Sequence, residues 1–286
     1  MKNFKLNRAV SFTIVTLVYA IAGVSSIFIY KAFNLPFWLT LLIADALATV
    51  IVFIYSVTLN NASVYDPYWS VQPIFILICY AVQYGLTLSG LIILVVVCLW
   101  GIRLTANWAY TFKNLTHQDW RYTMLKEQTG LFYPIINFIG IHMVPTVVVY
   151  ACTLPAVYVI VEGASFSWWT VVFSCLSVFA FTMQGIADIQ MHRFRRSGVK
   201  GFNRTGLWKY SRHPNYLGEI LMWWGVGLAS VFALNGHWYL LGGALLNTLL
   251  FACVSIPMAE KRQGRKEGFS EYKSQTRYLL PLKRFR

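Results

Sequence analysis

Polar side chains are scarce in this chain, so those beside apolar runs mark where chemistry can occur. The stretch SRHPNYLGEILMWW at 211–224 sets Arg212, His213, Asn215, Tyr216 and Glu219 ahead of two tryptophans. Asn215 and Glu219 are spaced i, i+4 and share a helix face, and neither buries well without partners. Pro214 suits a first helical turn, whose free N–H groups favour an anion. Upstream, FTMQGIADIQMHRFRR spaces Gln184, Asp188 and His192 as one stripe, with Arg195 a turn beyond. Tyr210 precedes the 211–224 stretch, and Glu260 and Arg265 follow the last apolar run. Together these residues describe a polar mouth at the end of a helix bundle, suited to an anionic ligand. An aromatic belt accounts for the Trp and Tyr but not for the Asn–Glu pair or the stripe. No second carboxylate stands at ligand spacing, so no metal site is expected.

The elements that must position these groups are apolar helices. The chain has 286 residues, of which 57% are hydrophobic and 12% charged, about half the charge of an ordinary soluble domain. Spans need about 20 apolar residues. Eight stretches qualify: 9–30, 36–58, 71–84, 87–108, 133–161, 166–190, 215–233 and 238–257, the third being short. The fold class is an all-α polytopic membrane protein, a bundle of seven or eight transmembrane helices around a cytoplasm-facing cofactor cavity. It forms a single domain over 1–286, with 1–130 on the substrate side and 131–286 on the cofactor side. The N-terminus is basic and then apolar like a signal peptide, but its apolar stretch is too long, so it reads as a retained first helix.

The net charge is +14. With eight spans every basic segment falls on one side, from Lys2, Lys5 and Arg8 to the terminal KRFR. That side is cytoplasmic by the positive-inside rule, with both termini. The final KRFR suits an anionic lipid surface. No basic soluble domain is present to carry nucleic acid. Short loops point to a bacterial inner membrane rather than the endoplasmic reticulum. The five cysteines sit in apolar runs as fillers. Most acids lie at helix ends, but Asp45 is deep in a span. It is read as a buried hydrogen bond to Thr40, Thr49 or a neighbouring helix, with function as the alternative.

SRHPNYLGE, the following WWG, a Pro-x-x-Glu and the Glu-Tyr…Leu-Pro tail resemble the C-terminal domain of the steroid 5-alpha-reductase family, including its DUF1295 branch. The match runs from Gln184 to Pro281, with weaker likeness in DPYW at 66–69 and LWGIRLTAN at 99–107. The RHPxYxG core is shared with isoprenylcysteine carboxyl methyltransferases. The resemblance implies NADPH at the cytoplasmic end and reduction of a C=C bond conjugated to a ketone, in a steroid-like or other lipid. It implies that Asp188, Arg195, Asn215, Glu219 and the basic tail hold the cofactor, with Gln184 in place of a family Asn. Asp66 falls where the family has Glu, Tyr65 where it has Gln, and Trp100 replaces a ketone-binding Tyr.

Hydride transfer to an enone builds negative charge on the ketone oxygen, which needs a donor in a dry site. Tyr65, Asp66 (if protonated), Arg103, Asn107 and Tyr110 are the candidates, Tyr65 beside Asp66 first. No GxGxxG stands on a strand–helix unit, so the cofactor must bind among helices. The alternative is an S-adenosylmethionine-dependent membrane methyltransferase, with Arg212, His213, Tyr216 and Glu260 around the methyl donor. The dense Arg and Lys before residue 214 suit a pyrophosphate better. A transporter would carry polar groups through the bilayer middle, which this chain lacks apart from Asp45.

Overall fold

Apolar runs punctuated by Gly, Pro and Asn fold into nine helices among the residues described, 7–280, in the computed structural model. They are α1 (Arg8–Ala32), α2 (Phe37–Thr58), α3 (Tyr68–Tyr84), α4 (Leu88–Thr111), α5 (Trp120–Val161), α6 (Trp168–Arg196), α7 (Pro214–Ala233), α8 (Trp238–Gln263) and α9 (Phe269–Gln275). Lys2, Lys5, Pro281 and the terminal KRFR lie outside the described residues. No described residue belongs to a strand; one parallel bridge joins Ser211 to Arg277. The five cysteines are unpaired.

Seven of these helices, all but α3 and α9, are long and apolar enough to cross a bilayer. The 71–84 stretch becomes the 17-residue α3, at the short end for a span. Two contacts show that it makes a pass. The Arg8 guanidinium, at the start of α1, donates to the Ala109 carbonyl near the end of α4 (2.8 Å). The Asn61 amide, just after α2, donates to the Leu115 carbonyl beyond α4 (2.8 Å). The start of α1 and the ends of α2 and α4 therefore share one face, and α3 must return the chain between α2 and α4. Gly85, at φ 79, makes that reversal in a backbone conformation other residues resist. The loops at this face, with the ends of α6 and α8, carry most of the basic residues, so we call it the basic face.

α5 opens with a polar stretch, Trp120–Thr129, whose first turn Asp119 caps by accepting from the Arg121 N–H (2.9 Å). Gly130, at φ 49, interrupts it, and the apolar part starts at Tyr133, where the sequence expects the span to begin. Within α5 and α8 the helix widens to π geometry at Ile136–Met143 and Phe251–Ser255. Each widening ends two residues before a proline, Pro145 and Pro257. Proline lacks an N–H and crowds the carbonyl four residues back, and a one-residue shift in register relieves that clash.

α6 and α7 form the tightest helix pair. A Cβ on Gly218 would come within 2.7 Å of the Ala180 carbonyl oxygen, so only glycine permits this approach. Gly225, two turns on, likewise faces the α6 backbone. That contact fixes Glu219 of α7 against Gln184 of α6. Around it lies a core that includes Trp100, Met222, Trp223 and Val157, all buried. The outer faces carry exposed Leu17, Phe28, Val82 and Phe179, as lipid-facing helices do.

Candidate functional site

The stripe on α6 finds its partners on α4 and α7, forming a ladder of polar rungs. At the deepest rung, Glu219 is 2% exposed and accepts four hydrogen bonds. Oε1 accepts from the indole N–H of Trp69 (3.1 Å) and of Trp223 (3.0 Å). Oε2 accepts from Trp100 (3.0 Å) and from the Gln184 amide (2.8 Å). The cage presents donors only, the complement of a carboxylate. One turn nearer the basic face, Arg103 of α4 pairs with Asp188 (3.0 Å), both largely buried. At the top rung, His192 Nε2 lies 2.7 Å from Asn107 Oδ1, and the Tyr110 ring stands 5.1 Å from the His192 ring.

Above the ladder a cavity of about 300 Å³ opens at the basic face. Asn107, Asp188, His192, Arg195, Arg212, His213, Asn215 and Tyr216 all line it. Eight of the residues singled out in the sequence therefore converge here. Unpaired donors remain around it: the buried Asn203 amide nitrogen, and Nε and Nη2 of Arg103 just beneath. Orphaned donors in a recess with Arg195 and Arg262 on its rim fit an anionic ligand.

Other expected cofactor contacts lie elsewhere. Gln184 and Glu219 sit below the cavity, spent on the cage. Glu260 forms a latch: Arg212 (2.6 Å), Lys273 (3.0 Å) and His213 (3.4 Å) converge on it. Arg212 also donates to the Thr276 and Arg277 carbonyls, so it ties the tail beside the mouth. Burial pushes the His213 imidazole below its ordinary pKa, with Glu260 opposing. Tyr210 and Arg265 are exposed and line neither cavity.

The expected catalytic set divides. Arg103 and Asn107 belong to the ladder. The Tyr65 hydroxyl is buried against Thr146 Oγ1 (2.8 Å), which continues to Thr49 (2.8 Å), and Tyr65 lines neither cavity. Asp66 accepts from the Tyr122 hydroxyl at 2.5 Å. Burial raises its carboxyl to about 6, Arg121 opposing.

A second, larger cavity of about 720 Å³ lies within the apolar bundle between α1, α2 and α3. Its inner end holds Tyr19, Asp45, Tyr68 and Gln72; most of its remaining wall is apolar. Asp45 is 4% exposed. It accepts from the Tyr68 hydroxyl on Oδ1 (2.7 Å) and from the Gln72 amide on Oδ2 (2.6 Å). The partners are thus on a neighbouring helix, while Thr40 bonds backbone carbonyls and Thr49 bonds Thr146. Gln72 Oε1 is left without a partner. Sequence reasoning passed over Tyr68 and Gln72, although their i, i+4 spacing at the head of a short span was the available signal.

Fold and site define a class: a polytopic helical membrane protein with a polar recess at its basic face and an apolar cleft inside. The chain belongs to the family described as "Protein of unknown function (DUF1295)", whose model matches residues 52–276. The match begins well ahead of Gln184, takes in DPYW at 66–69 and LWGIRLTAN at 99–107, and ends at 276, short of Pro281. An uncharacterized protein of Schizosaccharomyces pombe is 27% identical over 251 residues, covering 77% of this chain and 70% of that protein. No solved structure matches significantly.

Proposed function

We propose that this protein is an NADPH-dependent membrane reductase of C=C bonds conjugated to a ketone, acting on a lipid held in the apolar cleft. The reading rests on one observation: successive residues of α3 serve the two sites. Tyr68 lines the cleft and bonds Asp45, while Trp69 bonds Glu219 at the foot of the ladder. The basic face is then cytoplasmic, by its excess of Lys and Arg.

A reduced nicotinamide held at the mouth would supply a hydride. The 300 Å³ cavity is at the low end for ligand pockets, so it would hold one part of a dinucleotide, with Arg195, Arg262 and the Arg103 donors available to hold the phosphates. This chain's own chemistry is the proton. Addition of hydride to the β-carbon moves the C=C electron pair toward the ketone oxygen. The Tyr68 hydroxyl, which donates to Asp45 Oδ1 in the resting fold, would turn to give that oxygen its proton and take one from Asp45 in its neutral form. Asp45 would regain a proton from solvent before the next turnover. The resulting enol hydroxyl donates to the free Gln72 Oε1, and ketonisation puts the proton on the α-carbon. Tyr68 takes this role in place of Tyr65 because the Tyr65 hydroxyl meets Thr146 and Tyr65 lines neither of the two cavities.

The test is purified protein in lipid nanodiscs with NADPH and a panel of enone lipids. Enone-dependent oxidation of NADPH, with the saturated ketone as product, supports the reading. Saturable binding of S-adenosylmethionine and none of NADPH would overturn it in favour of methyl transfer.

A further inference from the structure

The cleft has polar groups at both ends. On α3 it runs from Tyr68 to Gln83, fifteen residues or about 22 Å. On α1 it runs from Tyr19 to Lys31, twelve residues or about 18 Å. The inner end offers the Asp45–Tyr68–Gln72 group with its unpaired, buried Gln72 Oε1. The outer end, on the face opposite the basic one, offers Lys31 and Gln83. Between them the wall is mainly Ala, Val, Leu, Ile and aromatic side chains.

Lys31 is conspicuous on that face. It lies in the last turn of α1, where the helix dipole favours a cation, but no described acidic side chain pairs with it. The nearest loops, 33–36 and 85–87, contain no acid. The other charge near that face, Glu162, is engaged with His237 at 3.7 Å. The rim of an apolar cleft thus carries a cation whose counter-ion the described protein does not supply.

The cleft also opens sideways. Ile27, Phe75, Ile78 and Val82 line it and are exposed on the lipid side. α1 and α3 meet through Tyr19–Tyr68, through Phe75 against Gly23, and through Tyr30–Tyr80. Between these contacts the cleft wall is shared with the bilayer face, the side from which an apolar ligand would come.

We infer that the ligand of this cleft is a two-ended lipid about 18–22 Å long: an elongated apolar body with a keto or hydroxyl oxygen at the Asp45 end and an anionic group at Lys31. This rests on the reductase reading only for what happens at the inner end. Binding of the anion to Lys31 does not depend on it.

The experiment is equilibrium binding in nanodiscs of zwitterionic lipid. The probes are a radiolabelled 3-oxo-4-ene steroid with a side-chain carboxylate and its methyl ester, without NADPH. Wild type should prefer the acid by about fivefold, the size of one exposed ion pair. Lys31→Gln should erase that preference and Lys31→Arg should keep it. Comparing acid-to-ester ratios between variants cancels the esters' greater partition into lipid. Equal binding of acid and ester by wild type, or a preference that survives Lys31→Gln, overturns the inference. A Lys31-dependent preference without enone-dependent NADPH oxidation would sink the reductase reading and leave this one standing.

Discussion

Two carboxylates lie deep in this bundle, and the fold treats them in opposite ways. Glu219 accepts four hydrogen bonds from four helices, α3, α4, α6 and α7, and lines neither of the two cavities. Asp45 accepts two, both from α3, and forms part of the wall of an open cleft. A saturated buried carboxylate is a tie between helices. One left half-satisfied at the edge of a volume is available to a ligand. The sequence expects Glu219 as a cofactor contact and Asp45 as a buried hydrogen bond to Thr40, Thr49 or a neighbouring helix. The structure gives Asp45 that bond, to α3, and sets Glu219 below the mouth cavity.

The sharpest way to break this comparison is to remove each carboxylate. Glu219→Ala strands three indoles and an amide, each an unpaired buried donor, and should cost on the order of 4 kcal/mol. Thermal unfolding in detergent, followed by tryptophan fluorescence, reads it directly, because three of the 11 tryptophans bond this group. Asp45→Ala strands two donors and should cost on the order of 2 kcal/mol. If Asp45→Ala proves the more damaging of the two, Glu219 is not the tie described here.

Turnover should show the opposite ranking of tyrosines from the one expected by sequence. Tyr68→Phe keeps the ring packing and removes the proton donor, so the rate should fall by about 100-fold with NADPH affinity unchanged. Tyr65→Phe removes a hydroxyl that meets Thr146, and the rate should stay within about twofold. Equal losses in both would assign the proton to the wrong side chain. At the mouth, Arg103→Gln removes a cation with two unpaired donors and should weaken NADPH binding about tenfold, read by fluorescence titration. Unchanged affinity would mean that the phosphates do not reach the ladder.

Hydropathy made the architecture legible, and charge asymmetry favoured eight passes over seven. The α6 stripe was legible as well, because i, i+4, i+8 spacing survives translation into structure: Gln184, Asp188 and His192 do share a face. What they face was not legible. Pairing to Arg103, Asn107 and Glu219 depends on how three helices approach, and that is set by Gly218 and Gly225, whose packing role has no signature in a single sequence. Glu260 reads as a ligand group because latch and ligand site draw on the same residue types, while Arg212 and His213 serve the latch and line the cavity as well. The cleft was invisible for a similar reason. A void is made by what neighbouring helices fail to fill, and composition reports only what is present.

The smallest expected effect concerns Asp66, which sits on neither side of the comparison and sharpens it by contrast. It lies in the loop before α3, half-buried, bonded to Tyr122. Burial raises its carboxyl from the ordinary 3.8 to about 6. A raised acid means that the fold disfavours the ionised form. The stability it contributes is therefore complete below about pH 4 and is lost as pH climbs through 6. With its partial exposure the loss should be about 1 kcal/mol. Measured against Asp66→Asn, which cannot ionise, wild type should lose that much stability between pH 4 and pH 7, seen as a widening gap in unfolding midpoint. A gap that stays constant across the range would show that Asp66 keeps an ordinary carboxylate in the fold. It would also remove the reason to treat it as a proton donor at neutral pH, leaving Asp45 and Tyr68 to carry that role without a rival.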